Sequence, residues 1–431
     1  MNNSINKELI DFINGAPTAF HAVESVAEEL KTRGYTELYE WEQWQLQLPG
    51  RYFVRRNDSS LIAFNIPVRD FKGFMIMAAH SDAPSFKLKE NALHKAAGLY
   101  AQLSVEKYGG MLCSSWLDRP LSLAGRLVVK TEKGLESRLV NIDKDLLMIP
   151  NVAIHMDRSA NDGKAYNAAS DMLPLMGRAD SEKSLMGLLA ETAGVTEEQI
   201  IGKDLYLYPR TPGCVWGLEA EYVSSPRLDD LQCVFGCLKG FTEAAPTESA
   251  AVLCVFDNEE VGSGTKQGAD SAFLQDVLAR LCAAADKSIT IALANSFMVS
   301  ADNAHAVHPN HPEYADKNDR PVLNGGIVIK FNANQRYTTD AVSAAVFSRV
   351  CGEAGVPVQH YSNRADLPGG STLGNISSSH VSIDTVDIGL AQLAMHSAYE
   401  TAGSKDTEYL IAAAREFYSR SFRRSGREIE I

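Results

Sequence analysis

Residues 73–82 read GFMIMAAHSD, a near-continuous apolar run that ends in polar residues. Apolar runs of this length are typical of strands whose two faces are both covered, as in parallel sheets. We therefore predict a buried strand that carries His80 to its carboxyl end, with Asp82 two residues further along the chain.

The segments around this strand alternate between helical and strand patterns. Upstream, an amphipathic helix at 20–30 precedes two predicted strands at 51–56 and 60–66. Downstream, the predicted elements are a helix from about 228, the strand AAVLCVF, a helix after Gly268, the strands SITIALA and GGIVIKF, and a helix near 339–354. The pattern predicts an α/β fold with a mixed, largely parallel central sheet flanked by helices.

Between these two regions the sequence changes character. Residues 91–223 consist mainly of short, glycine-punctuated and β-branched pieces, with one helical segment near 181–192. We predict that 1–90 and 224–431 form one catalytic domain and that 91–223 form an inserted, mostly β domain.

Composition excludes several classes of function. The chain has 54 acidic and 41 basic side chains and a formal net charge of -13, so it lacks the basic surface that nucleic acids and anionic membranes attract. No signal peptide and no transmembrane helix are expected, because the apolar runs are short and interrupted by charges. Seven cysteines without paired spacing favour the reducing cytoplasm over a disulfide framework.

Residues that bind hard divalent metals follow strands, or begin the next segment, at five places. They are His80 with Asp82, Asp229, Glu259 with Glu260, Asp302, and His396. In parallel sheets the carboxyl ends of the strands form the ligand site. Two histidines and three carboxylates can hold a pair of zinc-like ions if one carboxylate bridges them.

One further carboxylate is needed as a base, because a water that attacks a peptide carbonyl must lose its proton. Glu259 and Glu260 stand side by side, so one can bind metal while the other faces the cleft. Taken alone, the doublet is equally compatible with two acids at a helix N-terminus.

Six segments of the chain resemble the aspartyl aminopeptidase family, in the same order and at similar spacing. They are HSD at 80, SPRLDDL at 225, FDNEEVGS at 256, SADNAHAVHPN at 300, FNANQRY at 331 and QLAMHS at 392. The similarity covers nearly the whole chain, beginning with PTAFHAV at 17–23. The family implies a fold like that of zinc peptidases and phosphorylase-type hydrolases, and an enzyme that removes N-terminal residues, preferably Asp or Glu, from small peptides.

The resemblance also implies a role for individual residues. His80 and Asp302 would bind one metal ion, Glu260 and His396 the other, and Asp229 would bridge the two. Glu259 would be the general base and Asp82 would orient His80. The bond between Asp229 and Asp230 would be cis. The implied ions are zinc, with manganese and cobalt as alternatives for the same donors.

The family pattern further implies a substrate pocket and an assembly. Lys330, Tyr337 and His305 would line the pocket for the first side chain. His155, in the inserted domain, would reach the active site of a neighbouring subunit, within a tetrahedral shell of twelve subunits.

Three other functions remain open from sequence. The enzyme would prefer neutral residues if Lys330 did not read the side chain. A two-metal carboxypeptidase or deacylase would need an arginine for a terminal carboxylate, and Arg364 is available. A metal-stabilised scaffold without activity would not need Glu259, so the presence of that residue argues against it.

Overall fold

A computed structural model describes residues 3–370 and 372–431. Its helices are α1 (Asn3–Gly15), α2 (Ala19–Thr32), α3 (Leu185–Ala193), α4 (Leu228–Glu243), α5 (Phe273–Ala284), α6 (Ile289–Ala294), α7 (Ala341–Glu353), α8 (Leu373–Ser377) and α9 (Asp406–Tyr418). Its strands are β1 (Thr36–Leu38), β2 (Gly50–Arg56), β3 (Ser60–Ile66), β4 (Phe74–His80), β5 (Ser85–Ala96), β6 (Tyr100–Tyr108), β7 (Leu121–Thr131), β8 (Gly134–Asn141), β9 (Leu175–Arg178), β10 (Ile200–Pro209), β11 (Cys214–Trp216), β12 (Tyr222–Ser225), β13 (Ala250–Phe256), β14 (Phe297–Ala301), β15 (Ala304–His305), β16 (Ile327–Phe331), β17 (Val358–Ser362), β18 (Asp384–Leu393), β19 (Glu400–Gly403), β20 (Arg423–Ser425) and β21 (Glu428–Glu430).

A large mixed sheet organises the fold, as predicted. Its main strand order is β1-β2-β3-β13-β4-β14-β18-β19-β12-β11, with β15, β16 and β17 added beside β18. The four central strands β13, β4, β14 and β18 run parallel, whereas β3 and β19 join them antiparallel. The α/β assignment is therefore confirmed, with the parallel part confined mainly to the centre.

The register of the central strands places their carboxyl ends side by side. His80, the last residue of β4, pairs with Phe256, the last residue of β13. On the other side of β4, β14 ends at Ala301, and the amide of Asp302 donates to the carbonyl of Ile388 in β18. Residues that follow these strands consequently meet at one edge of the sheet.

Helices cover both faces of the central sheet. One face packs against α1, α2, α4, α7 and α9, and the other packs mainly against α5 and α6. Strands β4 and β13 are buried along their whole length, which explains why both read as continuous apolar runs. Because the central sheet is packed between these two cores, the ends of its strands are held in fixed positions.

A second sheet of six strands lies in the segment from Ser85 to Pro209, in the order β8-β7-β10-β5-β6-β9. It has a core of its own that includes Phe86, Trp116 and Leu207. The division into a catalytic domain (1–90 and 224–431) and an inserted domain (91–223) remains a prediction. Met1, Asn2 and Ser371, which belong to the predicted catalytic segments, lie outside the described residues.

One predicted strand is wrong. SITIALA was expected to be a strand, but residues Ile289–Ala294 form α6, and the next strand is β14 at Phe297–Ala301. The β-branched Ile289 and Thr290 resemble a strand, whereas Ala292 packs as a helical residue against the core. Residues 289–301 therefore contain two elements, α6 and β14. They are separated at Asn295, whose side chain donates to the Ile291 carbonyl.

None of the helices in the described part of the chain combines the length and the apolar composition needed to cross a bilayer.

Close contact between α4 and α9 requires a glycine at position 240. A Cβ atom added to Gly240 would lie 2.4 Å from the Cβ of Ala414 and 2.8 Å from the backbone nitrogen of Arg415. Gly240→Ala should therefore lower the free energy of unfolding by about 1–3 kcal/mol, the usual cost of overpacking. Urea unfolding followed by circular dichroism measures this change.

Gly352→Ala is the matched control, because Gly352 lies in α7 with no atom within 4 Å of an added Cβ. Since alanine favours helices, this change should raise stability by about 0.5–1 kcal/mol. Equal effects of the two substitutions would contradict the close packing of α4 on α9.

Candidate active site

The predicted metal-binding residues converge at the carboxyl edge of the central sheet. His80 ends β4, Glu259 and Glu260 lie in a short helical turn after β13, and Asp302 follows β14. Asp229 lies at the start of α4 and His396 follows β18. Their ligand atoms form groups within 4.8 Å of one another, and Asp229 belongs to two of these groups.

The first group contains His80, Asp229, Asp230 and Asp302. His80 Nε2 lies 3.5 Å from Asp229 Oδ1 and 3.9 Å from Asp302 Oδ1. The side chains of His80 and Asp229 are both buried. One nitrogen and two carboxylate oxygens thus face a common point, which is a suitable arrangement for a zinc ion.

The second group contains Asp229, Glu260 and His396. His396 Nε2 lies 3.4 Å from Asp229 Oδ2 and 3.3 Å from Glu260 Oε2. The two oxygens of Asp229 therefore face different histidines. A carboxylate in this position can bridge two ions, one in each group.

Unpartnered oxygens at this site indicate that a cation belongs here. Asp229 Oδ1 and Glu260 Oε1 are buried and accept no hydrogen bond within the described chain. Burial raises the pKa of Asp229 but the two histidines outweigh it, so the net pKa lies below its usual value. Burial, reinforced by Asp229, holds the pKa of Glu260 well above its usual value. The donor set fits zinc.

Glu259 lies beside His80, the histidine of the first group. One carboxylate oxygen of Glu259, one of Glu260 and one ring nitrogen of His80 lie within 4.8 Å of one another and form a third group. Burial raises the pKa of Glu259 to about 8, and the nearby acids Asp302 and Asp82 contribute in the same direction. A carboxyl group with a pKa near the working pH can both accept and return a proton.

The bond between Asp229 and Asp230 is cis in the structure, as predicted. Asp230 was not among the predicted site residues, although it belongs to the first group. Its Oδ2 accepts a hydrogen bond of 3.1 Å from the backbone nitrogen of His80. Asp230 therefore holds the end of β4, and its place beside Asp229 in SPRLDDL was the available signal.

Asp82 was predicted to orient His80, and it also contacts Glu259 and Glu260. Its Oδ1 lies 3.4 Å from His80 Nδ1, and its main-chain oxygen lies 3.1 Å from the same atom. Its two carboxylate oxygens also accept from the backbone nitrogens of Glu259 and Glu260, each at 3.2 Å. One buried carboxylate thus fixes a histidine and both acids of the doublet.

Tyr108, at the end of β6 in the second sheet, holds Asp82 from behind. Its hydroxyl donates to Asp82 Oδ2 at 2.6 Å and accepts from Asn258 Nδ2 at 2.8 Å. The same segment contacts the other histidine, because the carbonyl of Gly110 lies 2.7 Å from His396 Nδ1. Nothing in the sequence around Tyr108 indicated this contact.

Glu400 was also missed. Its Oε1 accepts from the backbone nitrogen of His396 at 2.7 Å and its Oε2 from that of Asp229 at 3.0 Å. This carboxyl group therefore ties together two predicted ligands that are far apart in sequence. Its position four residues after His396 was the only signal.

The structure brings the three predicted pocket residues of the catalytic segments together around Tyr361. The rings of His305 and Tyr337 lie 6.1 Å and 6.4 Å from that of Tyr361. Lys330 Nζ lies 5.5 Å from the ring of Tyr337, 3.5 Å from Asp302 Oδ2 and 2.9 Å from the carbonyl of Asn303. Lys330 is buried, and Asp302 counteracts the effect of burial and raises its pKa.

Two further predicted residues lie apart from this group. His155 is exposed in a turn between β8 and β9, and within the described chain it forms no hydrogen bond or ion pair with the other site residues. Arg364, the alternative clamp for a terminal carboxylate, is engaged by Asp366 at 2.6 Å and by the carbonyl of Glu313 at 2.6 Å.

A family model, curated relatives and solved structures all match this chain over nearly its whole length. The family model described as Aminopeptidase I zinc metalloprotease (M18) matches residues 12–418. A probable M18 family aminopeptidase 2 from Clostridium acetobutylicum is 45% identical over 424 residues, which cover 96% of this chain and 98% of the relative. A chain from the cryo-EM structure of the Ape4 and Nbr1 complex matches with a TM-score of 0.93 and 38% identity, over 96% of this chain and 85% of that chain. A chain of the S. cerevisiae mApe1 dodecamer matches with a TM-score of 0.85 and 29% identity, over 96% of both chains.

Tyr108→Phe should weaken the site without altering the predicted ligands. The substitution removes the 2.6 Å hydrogen bond to Asp82, the carboxylate that fixes His80 and the Glu259–Glu260 turn. Loss of such a supporting contact typically costs about 10–100-fold in metal affinity or activity. Zinc affinity is measured by competition with a chelator of known affinity.

Tyr206→Phe is the matched control, since the ring of Tyr206 packs edge-on against Tyr108 at 5.6 Å. Its hydroxyl makes no hydrogen bond within the described chain, so zinc affinity should stay within about twofold of wild type. If both substitutions weaken zinc binding equally, the hydroxyl of Tyr108 does not support the site.

Proposed function

The chain belongs to the M18 family of zinc-dependent aminopeptidases, and we propose from this premise that it removes N-terminal Asp or Glu from small peptides with two metal ions. The observation that carries the proposal is the pair of ligand groups that share Asp229, with Glu259 beside them. Metal binding, proton transfer and substrate recognition are each assigned to different residues around this pair of groups.

His80 and Asp302 are proposed to hold one ion, His396 and Glu260 the other, and Asp229 both. Support comes from the two oxygens of Asp229, which face His80 and His396 at 3.5 Å and 3.4 Å. Zinc suits these donors and agrees with the family, and manganese or cobalt suit them as well. Asp82 and Gly110 support the assignment by contacting the far nitrogen of each histidine ring.

When bound, the ions polarise the scissile carbonyl and lower the pKa of a water molecule beside it. Glu259 accepts the proton of the attacking water and returns it to the leaving amine. The hydrogen bond from its backbone nitrogen to Asp82 keeps this carboxyl group next to the ligand groups. Glu260 cannot take over this step, because its Oε2 faces His396 at 3.3 Å.

Lys330 is proposed to read an acidic first side chain. It is a buried cation next to Asp302, so a substrate whose amine approaches the ions would bring its side chain towards Lys330. Tyr337 and His305 would close the pocket, with Tyr361 between them. A buried ammonium group favours a carboxylate over an apolar side chain.

A preference for neutral residues is the second candidate, and one observation favours it. The ammonium group of Lys330 already has partners, Asp302 Oδ2 at 3.5 Å and the carbonyl of Asn303 at 2.9 Å. If these contacts persist when substrate binds, Lys330 has little charge left to offer. Measured substrate preference separates the two candidates.

Self-association is part of the proposal. A related chain, mApe1 of S. cerevisiae, forms a dodecamer, and we propose a tetrahedral dodecamer for this protein too. His155 is exposed, as expected of a residue that would reach the site of a neighbouring subunit. A cytoplasmic location is proposed because all seven cysteines are free thiols.

Glu259→Gln should slow turnover strongly without releasing metal. The amide keeps the shape of the side chain but cannot accept a proton, so kcat should fall by about 10²–10⁴-fold. Elemental analysis of the purified variant should give the zinc content of wild type.

Glu260→Gln provides the contrast, because the loss of a proposed ligand should lower zinc content itself. Normal kcat in Glu259→Gln would refute the proposed base. Loss of zinc from that variant would show that Glu259 is a ligand instead.

Lys330→Met should remove the acidic preference selectively. Wild type should cleave the free-amine amides of Asp and Glu faster than those of Leu and Lys, should not cleave their N-acetylated forms, and should stop when the metals are chelated. Because a charge-assisted contact is worth about 1.5–3 kcal/mol, kcat/KM for the Asp and Glu amides should fall about 10–100-fold in the variant.

The Leu amide should be cleaved at nearly the wild-type rate by Lys330→Met. Lys239→Met is the control, since Lys239 also pairs with an acid, Glu8 at 3.0 Å, and lies over an aromatic ring, Phe235. A wild-type enzyme that prefers Leu would establish the neutral candidate, and cleavage of the N-acetylated amides would exclude an aminopeptidase.

A further inference from the structure

Residues 151–157 form an exposed turn that carries His155. Three large apolar side chains of this turn are exposed to solvent, namely Val152 (50%), Ile154 (48%) and Met156 (83%). The turn has a shape of its own, because the amide of Met156 donates to the carbonyl of Ala153 at 2.8 Å. Apolar side chains clustered in one exposed turn are typical of a contact surface. In the proposed assembly, a second copy of the chain supplies that contact.

Asp118 ties the beginning of this turn to the rest of the subunit. Its Oδ1 accepts from the backbone nitrogen of Asn151 at 2.8 Å, and its Oδ2 accepts from Asn151 Nδ2 at 2.7 Å. Its own amide donates to the carbonyl of Ile149 at 2.9 Å. Within the described chain, the hydrogen bonds of residues 152–157 have partners only between 153 and 164. Asp118 therefore makes the last hydrogen bonds to the body of the subunit before His155.

The segment that leads to Asp118 starts beside the proposed metal ligand His396. The carbonyl of Gly110 lies 2.7 Å from His396 Nδ1, and the amide of Leu112 donates to the carbonyl of His396 at 3.0 Å. A change at Asp118 could therefore act on the metal site of its own subunit or, through the turn, on that of a neighbour. The hydrogen bonds favour the second route, because within the described chain the Asp118 carboxylate bonds only to Asn151.

We propose that Asp118 is a positioning residue, which holds the 151–157 turn so that His155 enters the active site of a neighbouring subunit. The inference rests on the proposed function, in which His155 acts in that site. A carboxylate suits the task, because its two oxygens accept from two N–H groups of one residue and its charge strengthens both hydrogen bonds. A loose turn would weaken the neighbour's site and leave the metal ligands of its own subunit intact.

Asp118→Gly removes the carboxylate without straining the backbone, because Asp118 has a φ of 55° and glycine adopts such angles freely. Misplacing a positioned group by about 1 Å can cost about 100-fold, so kcat/KM should fall about 10–100-fold while zinc content stays that of wild type. Asp143→Gly is the matched control. Asp143 is an exposed acid with a φ of 51°, but its carboxylate pairs with Arg210 instead of the turn. This control should keep kcat/KM within about twofold of wild type.

Mixed particles show in which subunit Asp118 acts. Asp118→Gly and Glu259→Gln chains with different affinity tags are co-expressed, and particles that contain both are purified on the two tags in succession. The first chain keeps the proposed base and the second keeps an intact turn. In an equal, random mixture half of the sites keep the base, and half of those receive an intact turn. Activity per site should therefore recover to about a quarter of wild type, above that of either parent.

Two further mixtures with Glu259→Gln calibrate this result. His155→Ala should be impaired alone and should recover in mixed particles as Asp118→Gly does, because both changes affect the same turn. Tyr108→Phe should not recover, since the Tyr108 hydroxyl supports Asp82 of its own subunit. A site of the Tyr108→Phe chain stays weak whichever turn it receives, so this mixture distinguishes support within a subunit from support across subunits.

Recovery of both Asp118→Gly and His155→Ala supports the inference. Wild-type kcat/KM in Asp118→Gly, or no recovery of this variant where His155→Ala recovers, overturns the inference alone. Wild-type kcat/KM in His155→Ala, or its failure to recover, overturns the proposed role of His155 and the inference with it. If Asp118→Gly does not fold, Asp118→Asn replaces it in every mixture, because its side chain can accept only one of the two hydrogen bonds from Asn151.

Discussion

The structure of this site depends on the cost of crowding buried carboxyl groups. Asp229, Asp230, Glu260 and Asp302 share one small volume with two histidines, and burial, reinforced by the neighbouring acids, holds the pKa values of Asp230 and Glu260 well above normal. Such a cluster is stable only if protons or metal ions compensate the repulsion. The folded chain therefore forms a site whose acids are brought together before any substrate arrives, and the central parallel strands supply the rigidity that keeps them there.

The site is supported by the second sheet in addition to the central strands that carry it. Tyr108 is the last residue of β6 and Gly110 lies two residues further on. The Tyr108 hydroxyl donates to Asp82, which contacts His80, and the carbonyl of Gly110 lies 2.7 Å from His396 Nδ1. Because both contacts come from one short segment, a shift of the second sheet would disturb both ligand groups together. If the proposed dodecamer assembles through this sheet, β6 would connect the subunit contacts to the two ligand groups.

Sequence predicts the part of the site that is local to strand ends. His80, Glu259 and Glu260 directly follow predicted apolar strands, which is enough to place them at one edge of the sheet, whereas the strand before Asp302 was predicted too early in the chain. Tyr108, Glu400 and Asp230 were missed because their roles depend on contacts across long sequence separations, such as the 2.6 Å bond from Tyr108 to Asp82. The error at SITIALA has a related origin: Ile289 and Thr290 have strand-like side chains, and only the core against which Ala292 packs decides for a helix.

The contacts of the buried Lys330 bear on substrate recognition. Lys330 Nζ lies 3.5 Å from Asp302 Oδ2, while Asp302 Oδ1 lies 3.9 Å from His80 Nε2. Asp302 is therefore divided between a metal ligand group and the pocket cation. A metal ion that draws charge from Asp302 leaves Lys330 less compensated and so more attractive to an acidic side chain. If Lys330 reads the first side chain as proposed, metal loading and the choice of that residue would be linked through Asp302.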